Sequence, residues 1–433
     1  MLSTRVSSAL AARNIHYGWV VAGVTFLTML ATAGAMGSAG VLLKPLETEF
    51  GWTTEDISFA MAIRLVLFGL FGPFAAAFMN QWGIRTVALT AMVMIAGGIL
   101  ASFAMTELWH LVALWGVVIG IGTGMTALVL GATVATRWFG ARRGLVVGLM
   151  TAANATGQLV FLPMLASVTD AIGWRAALTI VVAVLGAVAT LIFLFMRDRP
   201  ADLGLARYGE TDITPVPPQA ASLGALLLQP IRTLAEVSGS ATFWVLFGTF
   251  FICGFSTNGL IQMHWISICG DYGILAVGAA GMLAVIGVFD LVGTIGSGWL
   301  SDRYDNRKLL FWFYGLRGLS LIYLPFSGFT IWELSIFAVF YGLDWVATVP
   351  PTVRLTADRF GPDRAPLIFA WVFTGHQIGA ASATYIAGAL RTNYDTYMPA
   401  LIMAGILCLI AALAVLTINR TGAQAKPLKP ATA

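Results

Sequence analysis

Polar positions in the chain fall in clusters, and between them run long stretches without Asp, Glu, Lys or Arg. These are 14–43, 65–84, 86–106, 108–136, 144–169, 176–196, 237–270, 272–289, 365–390 and 396–419. Each holds at least 18 residues, enough to cross a bilayer core of about 30 Å as a helix. Two more follow once one interior charge is admitted: 309–332 is interrupted only by Arg317 and 334–353 only by Asp344. Arg64 and Asp290 interrupt or border the second and eighth spans, which are placed near 57–79 and 277–301. The alternating ten-residue segments of membrane barrels are absent, and backbone groups in lipid must pair internally. The pattern therefore predicts an all-α polytopic membrane protein with twelve transmembrane helices.

Charge sets the orientation. With both termini cytoplasmic, nineteen Lys and Arg lie inside, and only Lys44, Arg175 and Arg391 lie outside. This bias requires an even number of spans and predicts a bacterial-type inner (plasma) membrane protein with cytoplasmic termini. Arg5 and Arg13 precede a first span of nearly 30 residues with no small-residue cleavage pattern, so it reads as an uncleaved helix. Composition agrees: 58% hydrophobic and 10% charged residues cannot clothe soluble cores of this size. The net charge of +4 comes without a polybasic run, which argues against nucleic-acid binding. Cys253, Cys269 and Cys408 lack metal-ligand or redox spacing, so no metal, cofactor or disulfide framework is expected.

The polar stretch 197–236 carries Pro200, Pro215, Pro217, Pro218 and Pro230 and divides the spans six and six. It predicts an N-terminal half over 1–196, a cytoplasmic linker over 197–236, and a C-terminal half with a short tail over 237–433. Landmarks recur between the halves. Gly51 and Gly273 precede the second and eighth spans, and Asn80-Gln81 and Asp302-Arg303 follow them, each pair offset by 222 residues. Phe139-Gly140 with Arg143 and Phe360-Gly361 with Arg364 are offset by 221. Three matches in register imply an internal repeat. Parallel six-helix repeats with a site between them near the midplane are an architecture of secondary transporters.

The stretch Gly298-Trp-Leu-Ser-Asp302-Arg303-Tyr-Asp305-Asn306-Arg307-Lys308 resembles the loop signature GxxxDRxGRR of the major facilitator superfamily. Its N-terminal copy, Ala76-Ala-Phe-Met-Asn80-Gln81-Trp-Gly83-Ile-Arg85, lacks the acidic and first basic positions. The resemblance covers essentially the whole chain. It implies the major facilitator fold, and it makes Asp302, Arg303 and Arg307 candidates for gating the cytoplasmic side. Within the superfamily, His16-Tyr17-Gly18-Trp19, Phe50-Gly51-Trp52 and Asp198-Arg199-Pro200-Ala-Asp-Leu-Gly204 resemble the monocarboxylate porter and oxalate/formate antiporter group. The eighth-helix Asp of the mammalian-type porters is present as Asp290, while their following Arg falls on Thr294 and their first-helix Lys on Gly37. The fourth-helix Arg often tied to proton coupling falls on Gly116.

An ionisable side chain at the centre of a span costs roughly 2.5–3.5 kcal/mol on insertion scales, so each needs a reason. Arg64, Asp290, Arg317 and Asp344 sum to zero charge. Arg317 can pair with Asp290 or Asp344. Arg64 has no acidic neighbour within the N-terminal spans, so it is the candidate anion ligand, because guanidinium grips carboxylate bidentately. The alternative is an Arg snorkelling to the outer surface. Asp290 and Asp344 are candidate carriers of a coupling proton. Asn258 and Gln262 on the seventh helix, and Asn154 and Gln158 on the fifth, are each four apart and face one way, as a polar cavity wall or as interhelical hydrogen bonds. His376-Gln377 lies near the middle of the eleventh helix, as a substrate ligand or a satisfied buried pair. Trp265 reads as a cavity cap or as part of the interfacial belt.

The sequence thus predicts a non-enzymatic secondary transporter, monomeric in the bilayer, moving a small organic anion by alternating access with a coupling proton. A porter or exporter of a neutral or larger metabolite, with Arg64 structural, is the alternative. A non-transporting receptor is the second.

Overall fold

The computed structural model describes residues 2–213, 222–361 and 364–418. Among them, ten helices are long and apolar enough to cross a membrane: α1 (Gly18–Phe50), α2 (Thr54–Trp82), α3 (Ile84–Ser102), α4 (Leu108–Trp138), α6 (Trp174–Phe195), α7 (Ala241–Asp271), α8 (Ala276–Ser301), α9 (Asn306–Phe326), α10 (Ile331–Phe360) and α12 (Met398–Val415). Two further helices of 30 residues, α5 (Arg143–Ile172) and α11 (Ala365–Tyr394), complete the twelve. The face of α11 with Thr374, His376 and Gln377 among Gly and Ala is buried in protein, so this helix needs less apolar character than one ringed by lipid. Short helices Leu2–Ala11 and Leu223–Val237 lie outside this set. By alternation, α1 starts and α12 ends at the same end of the bundle, termed proximal; the other end is distal.

Helix limits follow local chemistry. Thr53 and Asp56 form a capping box that starts α2. Gly51 and Gly273, the glycines of the repeat, both hold positive φ (69° and 78°), the left-handed turn that ends α1 and follows α7. α1 runs past Lys44 and Pro45 to Phe50, farther than charge spacing suggests, because Leu43 and Leu46 remain fully buried. α10 likewise continues to Phe360 as a polar extension beyond the apolar stretch.

Two helices break at related places. α4 interrupts at Thr126–Ala127 and α10 at Trp345–Thr348. The breaks are bridged alike: Thr32 of α1 meets Thr126 (Oγ1 to Oγ1, 3.2 Å), and Cys253 of α7 meets Thr348 (Sγ to Oγ1, 3.3 Å). Thr32 and Cys253 are offset by 221 residues, and Thr126 and Thr348 by 222, so the repeat reaches into side-chain contacts. α4 and α7 also carry π-helical segments, Val112–Ile119 and Phe255–Gln262.

The first six helices share one core running from Tyr17 to Met196, which Met263 and Ala280 of α7 and α8 also enter. The remaining helices pack around two others, one including Trp265, Phe337 and Tyr341, the other Phe243, Tyr314 and Val372. Close approach is set by glycine: a Cβ on Gly254 would overlap the His376 carbonyl, and one on Gly259 the Ala380 carbonyl, fastening α7 to α11.

Candidate functional site

The four membrane-embedded charges divide into two groups. Arg64, on α2, is 3% exposed, which excludes snorkelling to the surface. Glycines let α2 and α4 touch here, a Cβ on Gly120 falling 3.0 Å from Arg64 Cα. The guanidinium turns toward α1, where Nη1 donates to the Met36 carbonyl (3.1 Å). Its Nε is buried without a partner, and among the described residues no carboxylate faces it. The guanidinium thus keeps its charge and at least one N–H donor without a partner among the described residues.

The second group surrounds the break in α10. Arg317 of α9 is fully buried and pairs with Asp344 (Nε to Oδ2, 2.6 Å), which decides between its two candidate partners. Arg317 Nη2 also donates to the Asp344 and Trp345 carbonyls (2.5 and 3.1 Å), and Nη1 reaches Cys253 Sγ (3.1 Å) and Ser256 Oγ (3.4 Å). From α8, Asp290 Oδ1 accepts from the Val346 N–H (2.9 Å) and from Thr294 Oγ1 (3.0 Å). Ser297 donates to the Ala347 carbonyl (2.5 Å). The broken backbone is thus satisfied by side chains of α8 and α9, as lipid-embedded irregular chain requires. Asp290 Oδ2 carries neither of those bonds, while Asp344 Oδ1 is buried with no partner.

The polar candidates lie along α2, α7 and α11. His376 Nδ1 and Gln377 Nε2 are 3.3 Å apart, and His376 stacks on Phe373. Gln377 is packed on Gly69 of α2, with its Oε1 unpaired. Asn258 and Gln262 occupy the π segment of α7 and are half-buried. Asn154 and Gln158 lie on α5, but their side chains fall outside the described residues. Trp265 is neither cap nor belt: it is fully buried, stacked on Phe337 and bonded to the Ala279 carbonyl (3.0 Å). His264 is held between Tyr397 Oη (3.2 Å) and the Thr384 carbonyl (3.0 Å).

At the proximal end, Asp302 lies 3.7 Å from Arg354 of α10, and Arg303 covers Trp299. Arg307 binds Asp305 (2.6 Å) and the Ile418 carbonyl (2.8 Å). The N-terminal copy repeats this with an amide: Asn80 accepts from Arg137 of α4 (2.6 Å). His16 Nδ1 accepts from the Gly18 N–H (3.1 Å), so Nε2 carries the proton and donates to the Ala206 carbonyl (3.0 Å). Tyr17 donates to the Phe195 carbonyl (2.7 Å), bringing the motifs at the two ends of this half together.

Two six-helix halves, related helix breaks and charges buried between spans define a polytopic membrane transporter. The family model of the Major Facilitator Superfamily matches residues 24–353 and 277–433. The chain belongs to that superfamily and resembles its monocarboxylate group. It is 24% identical to the uncharacterised MFS-type transporter YcxA of Bacillus subtilis over 86% of this chain and 87% of that one. It is 26% identical to monocarboxylate transporter 13 of Rattus norvegicus over 93% and 89%. Among solved structures, a bacterial homologue of the human lysosomal transporter Spinster, inward-facing and unoccupied, superposes with a TM-score of 0.72 at 15% identity, covering 94% of this chain and 97% of that one.

Proposed function

We propose that the protein carries a small organic anion of the monocarboxylate type across the inner membrane by alternating access, with its termini in the cytoplasm and a proton as coupling ion. The observation that carries this reading is Arg64: a buried guanidinium with an unpaired Nε and no facing carboxylate among the described residues. The anion supplies the missing charge, and Gln377, His376, Asn258 and Gln262 offer neutral contacts along the adjoining helices. Asp290, whose Oδ2 lies outside its two bonds, takes the coupling proton without giving up Val346 or Thr294. Asp344 is the fixed counter-charge of Arg317. Asp302, Arg303 and Arg307 gate the proximal side. The bond from Arg64 to Met36 supports a second reading, in which Arg64 only ties α2 to α1 and the substrate is neutral.

A ligand at 100 times its Kd stabilises its protein by about 2.7 kcal/mol, readily seen as a rise in melting temperature. Purified protein is screened against monocarboxylates, dicarboxylates and neutral metabolites, alongside Arg64→Gln. A carboxylate that stabilises the wild type but not Arg64→Gln supports the anion reading. Stabilisation by neutral compounds alone, or an equal carboxylate response in Arg64→Gln, defeats it.

A further inference from the structure

The short helix Leu223–Val237 begins at Ser222, whose hydroxyl accepts from the Ala225 N–H (3.2 Å), and helical spacing sorts its side chains into three stripes. Leu227, Pro230, Leu234 and Val237 face inward. Val237 is fully buried in the core of Phe243 and Tyr314, and Leu234 packs against that core, as do Leu70 and Phe74 of α2. Trp371 of α11 donates its indole N–H to the Pro230 carbonyl (2.9 Å), and Glu236 pairs with Arg364. The helix is therefore pinned to the bundle. Gln229, Arg232 and Glu236 form an exposed polar stripe on the far side. Between the two runs a third stripe, Leu228, Ile231 and Ala235, which is apolar although Leu228 is 47% and Ile231 49% exposed.

The level of this helix identifies what meets the third stripe. Trp371 lies six residues inside the start of α11 at Ala365, and Phe74 lies eight residues before the end of α2 at Trp82. At 1.5 Å per residue these anchors are recessed by about 9 and 12 Å from the proximal helix ends. Exposed tryptophans mark the same zone: Trp82 ends α2, Trp244 and Trp312 stand in the first turns of α7 and α9, and Trp299 stands in the last turn of α8. Trp244 also donates to the Ser238 carbonyl just beyond the helix (2.7 Å). Tryptophans in this position form the aromatic belt of a membrane–water interface. A helix at that depth, with one flank on protein, one apolar flank and one polar flank, has the layout of a helix lying in the interface plane.

We propose that the Leu228, Ile231 and Ala235 stripe is a lipid-binding surface, seated at the boundary of headgroups and acyl chains in the proximal leaflet. The bilayer removes the Leu and Ile side chains from water, and the neighbouring Arg232 supplies a cation for headgroup phosphates. The surface requires a membrane and is independent of the transported solute.

The test places a fluorophore on the helix in the full chain. Leu228→Cys, Ile231→Cys and Gln229→Cys are labelled with a fluorescent maleimide and reconstituted into nanodiscs of phosphatidylcholine and phosphatidylglycerol; the native Cys253, Cys269 and Cys408 are buried. Ile295→Cys, on the exposed flank of α8, is the reference for lipid, and Asp212→Cys, exposed between the halves, is the reference for water. A spin label near the top of the acyl chains quenches from the lipid side, and iodide quenches from the aqueous side. The labels on Leu228→Cys and Ile231→Cys are expected to match Ile295→Cys in lipid quenching and to exceed Gln229→Cys by roughly threefold, with iodide giving the opposite order. Ala235→Cys, on the same stripe, replaces either variant if its labelled form melts below the wild type. Iodide quenching of the stripe equal to that of Asp212→Cys overturns the proposal, because the face then meets water. Protection from both quenchers overturns it as well, because the face is then covered by protein.

Discussion

Removing Arg317 should unfasten α10. Arg317→Met deletes the ion pair to Asp344 and leaves that carboxylate buried, with one oxygen already unpaired. It also strips the Asp344 and Trp345 carbonyls of their donor. Breaking a buried pair by removing one partner costs about 3–5 kcal/mol. For a cooperative unit of 150–250 residues, about the size of the C-terminal half, melting falls by about 2–4 °C per kcal/mol, so a drop of about 6–20 °C is expected. Melting is followed by tryptophan fluorescence at one fixed scan rate in detergent, for Arg317→Met, Asp344→Asn and the double variant. Once both charges are gone, neither is stranded, so the double variant should lose at least about 2 kcal/mol less than the sum of the singles. A strictly additive double variant, or Arg317→Met melting within about 2 °C of wild type, would refute the reasoning. The same measurement bears on the proton: a freely titrating Asp344 predicts an Asp344→Asn protein of normal stability.

Other substitutions probe different levels of the structure. Asp290→Asn retains an oxygen to accept from Val346 and Thr294, so melting should change by less than the equivalent of about 1 kcal/mol, while proteoliposome uptake loses its dependence on an imposed pH gradient. Retained gradient dependence would remove Asp290 from coupling. Gly254→Ala forces α7 away from the His376 carbonyl and should cost about 1–3 kcal/mol or more. Gly148→Ala, with nothing within 4 Å of its added methyl, should be neutral or gain up to about 1 kcal/mol through helix propensity.

Span number and repeat were legible because both follow from one-dimensional signals: where charges interrupt apolar runs, and where landmarks recur. The pairing of Arg317 was not, since Asp290 and Asp344 both sit at plausible depth and the choice depends on the rotation of α8 and on where α10 breaks. Those breaks lack a local signature. Thr126–Ala127 contains neither Pro nor Gly, and Pro350–Pro351 follows the α10 break rather than occupying it. Trp265 was misjudged because an aromatic near a helix end faces either lipid headgroups or protein, and only the position of Phe337 and Ala279 decides.

The clasp at the proximal end of the first half bears on how the chain is made. His16 and Tyr17 find their acceptors only at Ala206 and Phe195. The first helix therefore lacks these final fastenings until nearly half of the polypeptide has left the ribosome, yet it needs nothing from beyond residue 206 to complete them. Since chains generally fold domain by domain from the N-terminus during synthesis, the six-helix unit can seal itself before α7 emerges. A truncation ending just past residue 210 should then insert as a protease-resistant body, and one ending at residue 194, which lacks both acceptors, should not.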